Sequence, residues 1–274
     1  MILISEYHKY PTVPRLFYLR VFSFLAILPV ALTIEWPENP VFYACVFGLT
    51  AIIFLTDVLY YGAAQKHGAG PISRIEPLTT LLTFVVWTVI TPAQLNEYLA
   101  QPLIATGIAG CFALAAYCAM QLRHSPVSMA ALKQLSYFIG LIAIVNILGK
   151  TSMDAGGNPM HAAGAYVAIQ SSVLMVLYGV LGLVRSDRHG SIRPNRGLLI
   201  SAGLMAIASL SHIVTKNVAY TMVSNPAYIL IILLSVPLMV SAYYKVKGRA
   251  DDASVWAGFG IVISAALLII LTRF

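Results

Sequence analysis

Asp57, Asn146, Lys150, His212 and Lys216 stand inside apolar runs of this chain, and Asp154 at the edge of one. An ionised group at the centre of a membrane helix costs at least about 2.5 to 3.5 kcal/mol on insertion scales, so each needs a partner, water or a task. His212 and Lys216 are four residues apart and share a helix face, and the same spacing links Asn146, Lys150 and Asp154. The chemistry this allows is recognition of a small anion by Lys150 and Lys216, with Asp57 or His212 balancing charge or exchanging a proton. A plainer arrangement serves the same residues. Asp57 would pair with Lys216, and Lys150 with Asp154 would sit at the outer rim, its aliphatic stem reaching toward the headgroups. Only 16 residues separate Lys150 from Lys133, about 24 Å of helix, which is short of the roughly 30 Å hydrocarbon layer.

The elements that must position these groups are dictated by composition. Of 274 residues, 59% are hydrophobic and 10% charged, against about 25% charged in an ordinary soluble domain. Mean hydropathy is +0.83. Apolar runs between polar breaks predict nine helices, at 14–34, 41–64, 74–92, 101–122, 132–153, 161–184, 197–221, 226–244 and 254–272. The breaks carry turn chemistry: Trp36-Pro37-Glu38-Asn39-Pro40, Gly68-Ala69-Gly70-Pro71, Gly156-Gly157-Asn158-Pro159 and Asn225-Pro226. Loops this short make neighbouring helices antiparallel.

The net charge of +7 does not point to nucleic acid, because the cations lie in short loops on alternating sides. Fourteen of the 17 Lys and Arg residues fall on one side of nine crossings, with only Lys150, Lys216 and Arg273 on the other. That asymmetry places the N-terminus inside and the C-terminus outside a bacterial-type inner (plasma) membrane. Arg185-Ser186-Asp187-Arg188-His189-Gly190 is then a basic inner loop suited to anionic lipid headgroups. Cys45, Cys111 and Cys118 all lie in apolar segments and form no CxxC pair, which argues against disulfides and zinc. The opening ten residues include Glu6 and His8 and lack the apolar core of a cleaved signal peptide.

An internal repeat emerges when residues 49–71 are laid over 204–226. Leu49, Ala51, Ile52, Leu55, Ala64 and Pro71 match Leu204, Ala206, Ile207, Leu210, Ala219 and Pro226, and Asp57 falls on His212. The second and seventh predicted helices run in opposite directions, so the repeat is of inverted topology, which tends to gather equivalent positions around one cavity. The first four predicted helices correspond to the last four. This divides the chain into a four-helix half at 1–126 and a five-helix half at 127–274.

Asn225-Pro226-Ala227-Tyr228, followed by Ile229 to Ser241 with Ser235-Val236-Pro237-Leu238, resembles the penultimate helix of EamA-like transporters of the drug/metabolite transporter superfamily. Gly70-Pro71 leading to Glu76-Pro77-Leu78 resembles the equivalent helix of the first half. The resemblance implies a polytopic all-α fold of two inverted halves, here in a four-plus-five arrangement, and secondary transport by alternating access. The usual ten-helix layout has both termini inside. The family's frequent Gly-Glu is replaced by Thr91-Pro92 and by Lys247-Gly248-Arg249.

HExxH, Walker-type phosphate loops, GxSxG and paired histidines at metal spacing are all missing from the sequence, so neither catalysis, a cofactor nor a metal is expected. The expected partners are a small anionic or zwitterionic metabolite, membrane lipids and a coupling proton, and the layout leaves room for a homodimer. The rival from another class is a binding or lipid-handling membrane protein that moves no solute. Tyr60, Tyr61, Tyr220 and Tyr228 read mainly as interfacial anchors and secondarily as the lining of a path. Gly107, Gly110, Gly258 and Gly260 read as points of close helix packing, and Glu76 before Pro77 as a helix start.

Overall fold

The computed structural model describes residues 1–8, 10–67, 69, 76–121, 129–184, 191–233, 235–248 and 255–272. Among them every regular element is helical. In chain order these are α1 Ile2–Tyr7, α2 Thr12–Ala31, α3 Pro40–His67, α4 Glu76–Ile90, α5 Pro92–Ala100, α6 Pro102–Gln121, α7 Met129–Ala155, α8 Pro159–Val184, α9 Arg196–Tyr220, α10 Ala227–Leu233, α11 Val236–Val246 and α12 Val255–Thr272. All nine apolar runs predicted above are helical over most of their length. The loop Arg185–Gly190 and the division at 126/127 lie outside the described residues.

Asparagine and proline set several helix starts. The Asn39 and Asn158 side-chain oxygens accept from the backbone N–H of Val41 and Met160 at 2.9 and 3.0 Å, with Pro40 and Pro159 opening α3 and α8. Asn195 caps α9 by accepting from Leu198 N–H at 2.8 Å. Such caps satisfy amides that the first turn leaves without partners, and proline there has no N–H to lose. After α7, Gly157 takes φ +73, a left-handed conformation that glycine adopts without a Cβ penalty.

Among the described residues five helical stretches are long and apolar enough to cross a membrane: Thr12–Ala31, Pro40–Gln65, Tyr137–Ala155, Pro159–Val184 and Arg196–Tyr220. A sixth is reached if Leu78–Ile90 and Pro92–Tyr98 count as one span, but these meet at a bend of 101°. The Pro102–Cys118 and Phe259–Leu271 stretches are apolar but shorter. The predicted run 226–244 is divided into α10 and α11 ahead of Pro237.

The chain forms two compact units, Met1–Gly68 with Ile144–Met222, and Ala69–Ala143 with Val223–Phe274. In the first unit α8 is the central helix. Its stretch Ala162 to Ser171 is buried without interruption, and α2, α3 and α9 all pack on it. Small residues allow these close approaches, since apolar attraction between helices is weak in lipid. A Cβ at Gly179 would stand 3.2 Å from the Phe17 ring of α2, and one at Gly164 would stand 3.2 Å from Ile34. Leu16 and Leu19 of α2, Tyr61 of α3, Leu174 and Tyr178 of α8, and Met205 and Ala206 of α9 form one core.

In the second unit α6 and α12 form the main pair, and α4 packs on both α6 and α10. The glycine expectation holds at two positions. A Cβ at Gly107 of α6 would come 3.1 Å from Leu271, and Gly260 of α12 meets Cys118 more closely still. Gly110 faces open space. Ile108, Cys111, Phe112, Ala115, Ile261 and Leu268 fill the seam between the two helices.

Candidate functional site

The first unit holds two polar clusters inside its apolar helices. In one, Arg20 of α2 donates through Nη2 to Asp57 Oδ2 of α3 at 2.7 Å, the side chains being 6% and 18% exposed. Tyr178 of α8 donates its hydroxyl to the same carboxylate oxygen at 3.3 Å. Three helices thus converge on one charge pair. A pair taken out of water is stable only when geometry and added hydrogen bonds offset desolvation, which the tyrosine helps to do.

In the other cluster, Lys216 of α9 donates to Asn146 Oδ1 of α7 at 2.9 Å and lies 5.3 Å from the centroid of the Tyr220 ring. Tyr220 itself is buried and donates to Asn146 Oδ1 at 3.3 Å. Gly149, one turn after Asn146 on α7, gives the Tyr220 ring its room, since a Cβ there would sit 3.3 Å from the ring edge. Between the two clusters along the electrostatic network stands Tyr166 of α8, within reach of Arg20 and Asp57 on one hand and Tyr220 on the other. Gln170, one turn further on α8, donates to the Tyr166 hydroxyl at 3.4 Å.

The expected Asp57–Lys216 ion pair does not form. Asp57 is engaged by Arg20 and Tyr178, while Lys216 binds an amide oxygen. His212 is half-buried on α9, one turn from Lys216, whose charge acts on it. Lys150 is buried near the end of α7 and pairs with the more exposed Asp154. That pair is the plainer alternative read from the spacing. Asn146, Lys150, Asp57, His212 and Lys216 therefore all belong to the first unit, with Lys150 on the partner its spacing offers and Asp57 and Lys216 on partners other than each other.

Arg20 and Arg15 were expected among the surface cations before the end of the first span. Both are instead buried in α2. Arg15 donates through Nη1 to the Ser5 and His8 carbonyls at 3.3 and 3.0 Å, and through Nη2 to Ser5 Oγ at 2.6 Å. The signal that could have found Arg20 is its place six residues inside an apolar run, followed by an aspartate within the next run. Tyr61 and Tyr220 are buried core residues, and Tyr228 is bonded through its hydroxyl to Tyr98.

The second unit has its own polar knot at the bend between α4 and α5. Trp87 Nε1 donates to the Ser224 carbonyl at 2.9 Å, and Gln94 Nε2 to Ser224 Oγ at 3.1 Å. Asn225 donates to Thr88 Oγ1 and Gln94 Oε1 at 3.4 and 3.3 Å while accepting from Ala227 N–H at 3.0 Å. Beside it lies a cavity of about 70 Å³ lined by Glu97, Tyr98, Gln101, Ser224 and Tyr228 among others.

Among the described residues no group of three or more His, Cys, Asp or Glu side chains is placed to hold a metal ion. The three cysteines are buried free thiols. No protein-family model, curated protein or solved structure matches the chain.

Proposed function

We propose that this chain is a secondary transporter of the EamA-like kind, carrying a small anionic or zwitterionic metabolite across the inner membrane by alternating access with a coupled proton. The observation that carries the reading is the pair of charged clusters, Arg20–Asp57–Tyr178 and Lys216–Asn146–Tyr220, inside the unit that holds most of the span-capable helices. Ionisable groups within membrane-span helices are functional-site candidates by default.

The helix pairings support the inverted repeat. On the 155-residue register α2 corresponds to α8, α3 to α9, and α6 to α12. The most extensive packing in each unit joins such equivalents, α2 with α8 and α6 with α12. Contacts of α2 with α9 are mirrored by those of α8 with α3. Each compact unit takes matching helices from both halves, the pattern expected when two inverted repeats interlock. On this reading the nine predicted helices are four plus five, with α7 standing outside the repeat, and Asp57 and His212 are the proton-handling candidates.

The cations support an anionic solute. Arg20 and Lys150 are met by Asp57 and Asp154, while Arg15 and Lys216 donate to neutral oxygens of Ser5, His8 and Asn146. The test is a thermal-stability screen of purified protein in detergent, with amino acids, organic acids and sugar phosphates, beside phospholipids, on wild type and Lys216→Ala. A soluble metabolite that raises the wild-type Tm by several degrees, and the variant's by less, is the expected result. Stabilisation by phospholipid alone would overturn the reading in favour of a lipid-handling protein.

A further inference from the structure

Arg20 keeps unused donor capacity: its Nη2 meets Asp57, but Nε and Nη1 are buried and reach no partner among the described residues. Lys150 is taken up by Asp154, Lys216 by Asn146 and the Tyr220 ring, and Arg15 keeps only Nε open. Around Arg20 two further polar atoms stand in the same condition. Ser23 Oγ lies one turn along the same face of α2 and is buried without a partner. Gln170 of α8 is buried, with its Nε2 on Tyr166 and its Oε1 reaching nothing. α2 and α8 run antiparallel, with Gly164 against Val30 and Ile34 and Gly179 against Phe17, so Gln170 falls about one helical turn beyond Ser23 on the side away from Arg20.

Arg20 is met by the Asp57 carboxylate, and Arg15 by the Ser5 and His8 carbonyls and the Ser5 hydroxyl. An oxyanion held by a buried guanidinium is favoured, because charge-assisted hydrogen bonds are stronger away from water. Arginine suits this task because its planar donors match carboxylate and phosphate oxygens and it stays charged when buried.

We propose that Arg20, with Ser23 and Gln170, forms the subsite that receives the carboxylate or phosphate group of the transported solute, between α2 and α8 of the first unit. This rests on the transport reading above and narrows its substrate to solutes bearing an oxyanion. Arg20 Nε and Nη1 donate to that group, Ser23 Oγ donates a third hydrogen bond, and Gln170 Oε1 accepts from a donor elsewhere on the solute. Asp57 and Tyr178 hold the guanidinium in place from its other side.

The experiment measures binding of inorganic phosphate, succinate and glutamate, with glycerol and putrescine as neutral and cationic comparators, to the full chain in detergent by calorimetry. Arg20→Gln alone strands Asp57, so the informative variant is the charge-balanced double substitution Arg20→Gln/Asp57→Asn, with Ser23→Ala and Gln170→Leu as milder probes. Tm and helicity confirm that each variant is folded. The expected result is that at least one of the three anions binds, that the double variant loses about tenfold or more in affinity, and that Ser23→Ala and Gln170→Leu lose a few-fold each. Equal anion affinity in wild type and the double variant would overturn the subsite. So would binding confined to glycerol or putrescine, which leaves the transport reading standing. Phosphatidylglycerol vesicles that bind in an Arg20-dependent way while the three soluble anions do not would assign the site to a lipid headgroup and overturn both.

Discussion

The Arg20 guanidinium donates to the Asp57 carboxylate at 2.7 Å, joining α2 to α3 inside the helices of the first unit. Removing either partner leaves the other charged and buried. Arg20→Gln and Asp57→Asn singly are expected to lower stability by about 3–5 kcal/mol. The double substitution should recover most of that loss, because no lone charge remains. A double-mutant cycle on unfolding midpoints in detergent checks this, and additive losses in the double variant would show that the pair is not the stabilising unit.

Asn225 does three jobs at the bend of the second unit, donating to Thr88 and Gln94 and accepting from Ala227 N–H. Asn225→Ala leaves Gln94 Oε1 and the Ala227 amide without these partners in a buried setting. A loss of about 1–3 kcal/mol follows. Asn225→Asp keeps the accepting oxygen but buries a carboxylate against Gln94 Oε1, so its loss should equal or exceed that of Asn225→Ala. Thermal unfolding of the two variants side by side is the check.

Gly149 and Tyr220 fit together at 3.3 Å from a prospective Cβ to the ring edge. A valine at position 149 would push the ring away from Asn146, and overpacking of this kind costs about 1–3 kcal/mol. The displacement should also disturb Lys216, which uses both Asn146 and the Tyr220 ring. Gly149→Val is therefore expected to reduce solute binding beyond what its stability loss explains, measured at a temperature well below its Tm. Tyr220→Phe, which keeps the ring and loses the bond to Asn146, should show a smaller effect on binding.

How the sequence foreshadows these features differs between fold and site. The helices were legible because apolar runs are bounded by chemistry with one meaning, as at Asn39-Pro40, Asn158-Pro159 and Asn225-Pro226, where the asparagine caps or turns and the proline ends any earlier helix. The run predicted to end at Pro92 ends as a helix at Ile90, and Pro92 opens the next one. The helix Pro92–Ala100 that follows was missed, because Gln94, Asn96 and Glu97 interrupt the apolar pattern. Asp57, Asn146 and Lys216 were legible as residues out of place in lipid. Their partners were not, since Arg20 lies close enough to the start of its run to pass for a surface charge, and only the packing of three helices brings it to Asp57. Tyr166, Tyr178 and Gln170 carry no sequence signal of their own, because a tyrosine in an apolar run has the same appearance in a core, at an interface or beside a buried charge.

Tyr98 and Tyr228 are bonded through their hydroxyls beside the small cavity of the second unit. Each is the other's partner, so the two Phe substitutions should not add. Tyr98→Phe and Tyr228→Phe are each expected to cost about 1 kcal/mol, and the double variant less than the total of the two. Strict additivity in thermal unfolding would place their hydroxyl bonds with other groups.

Counterflow in proteoliposomes tests the transport reading most directly. Vesicles loaded with an unlabelled oxyanion solute that binds the purified protein are diluted into a trace of the same labelled solute, with no ion gradient imposed. A carrier that alternates access draws label inward transiently above its outside concentration, and the folded Arg20→Gln/Asp57→Asn variant should lose this overshoot. Absence of any overshoot with wild-type protein that still binds the solute would contradict alternating access and leave a binding protein that moves nothing.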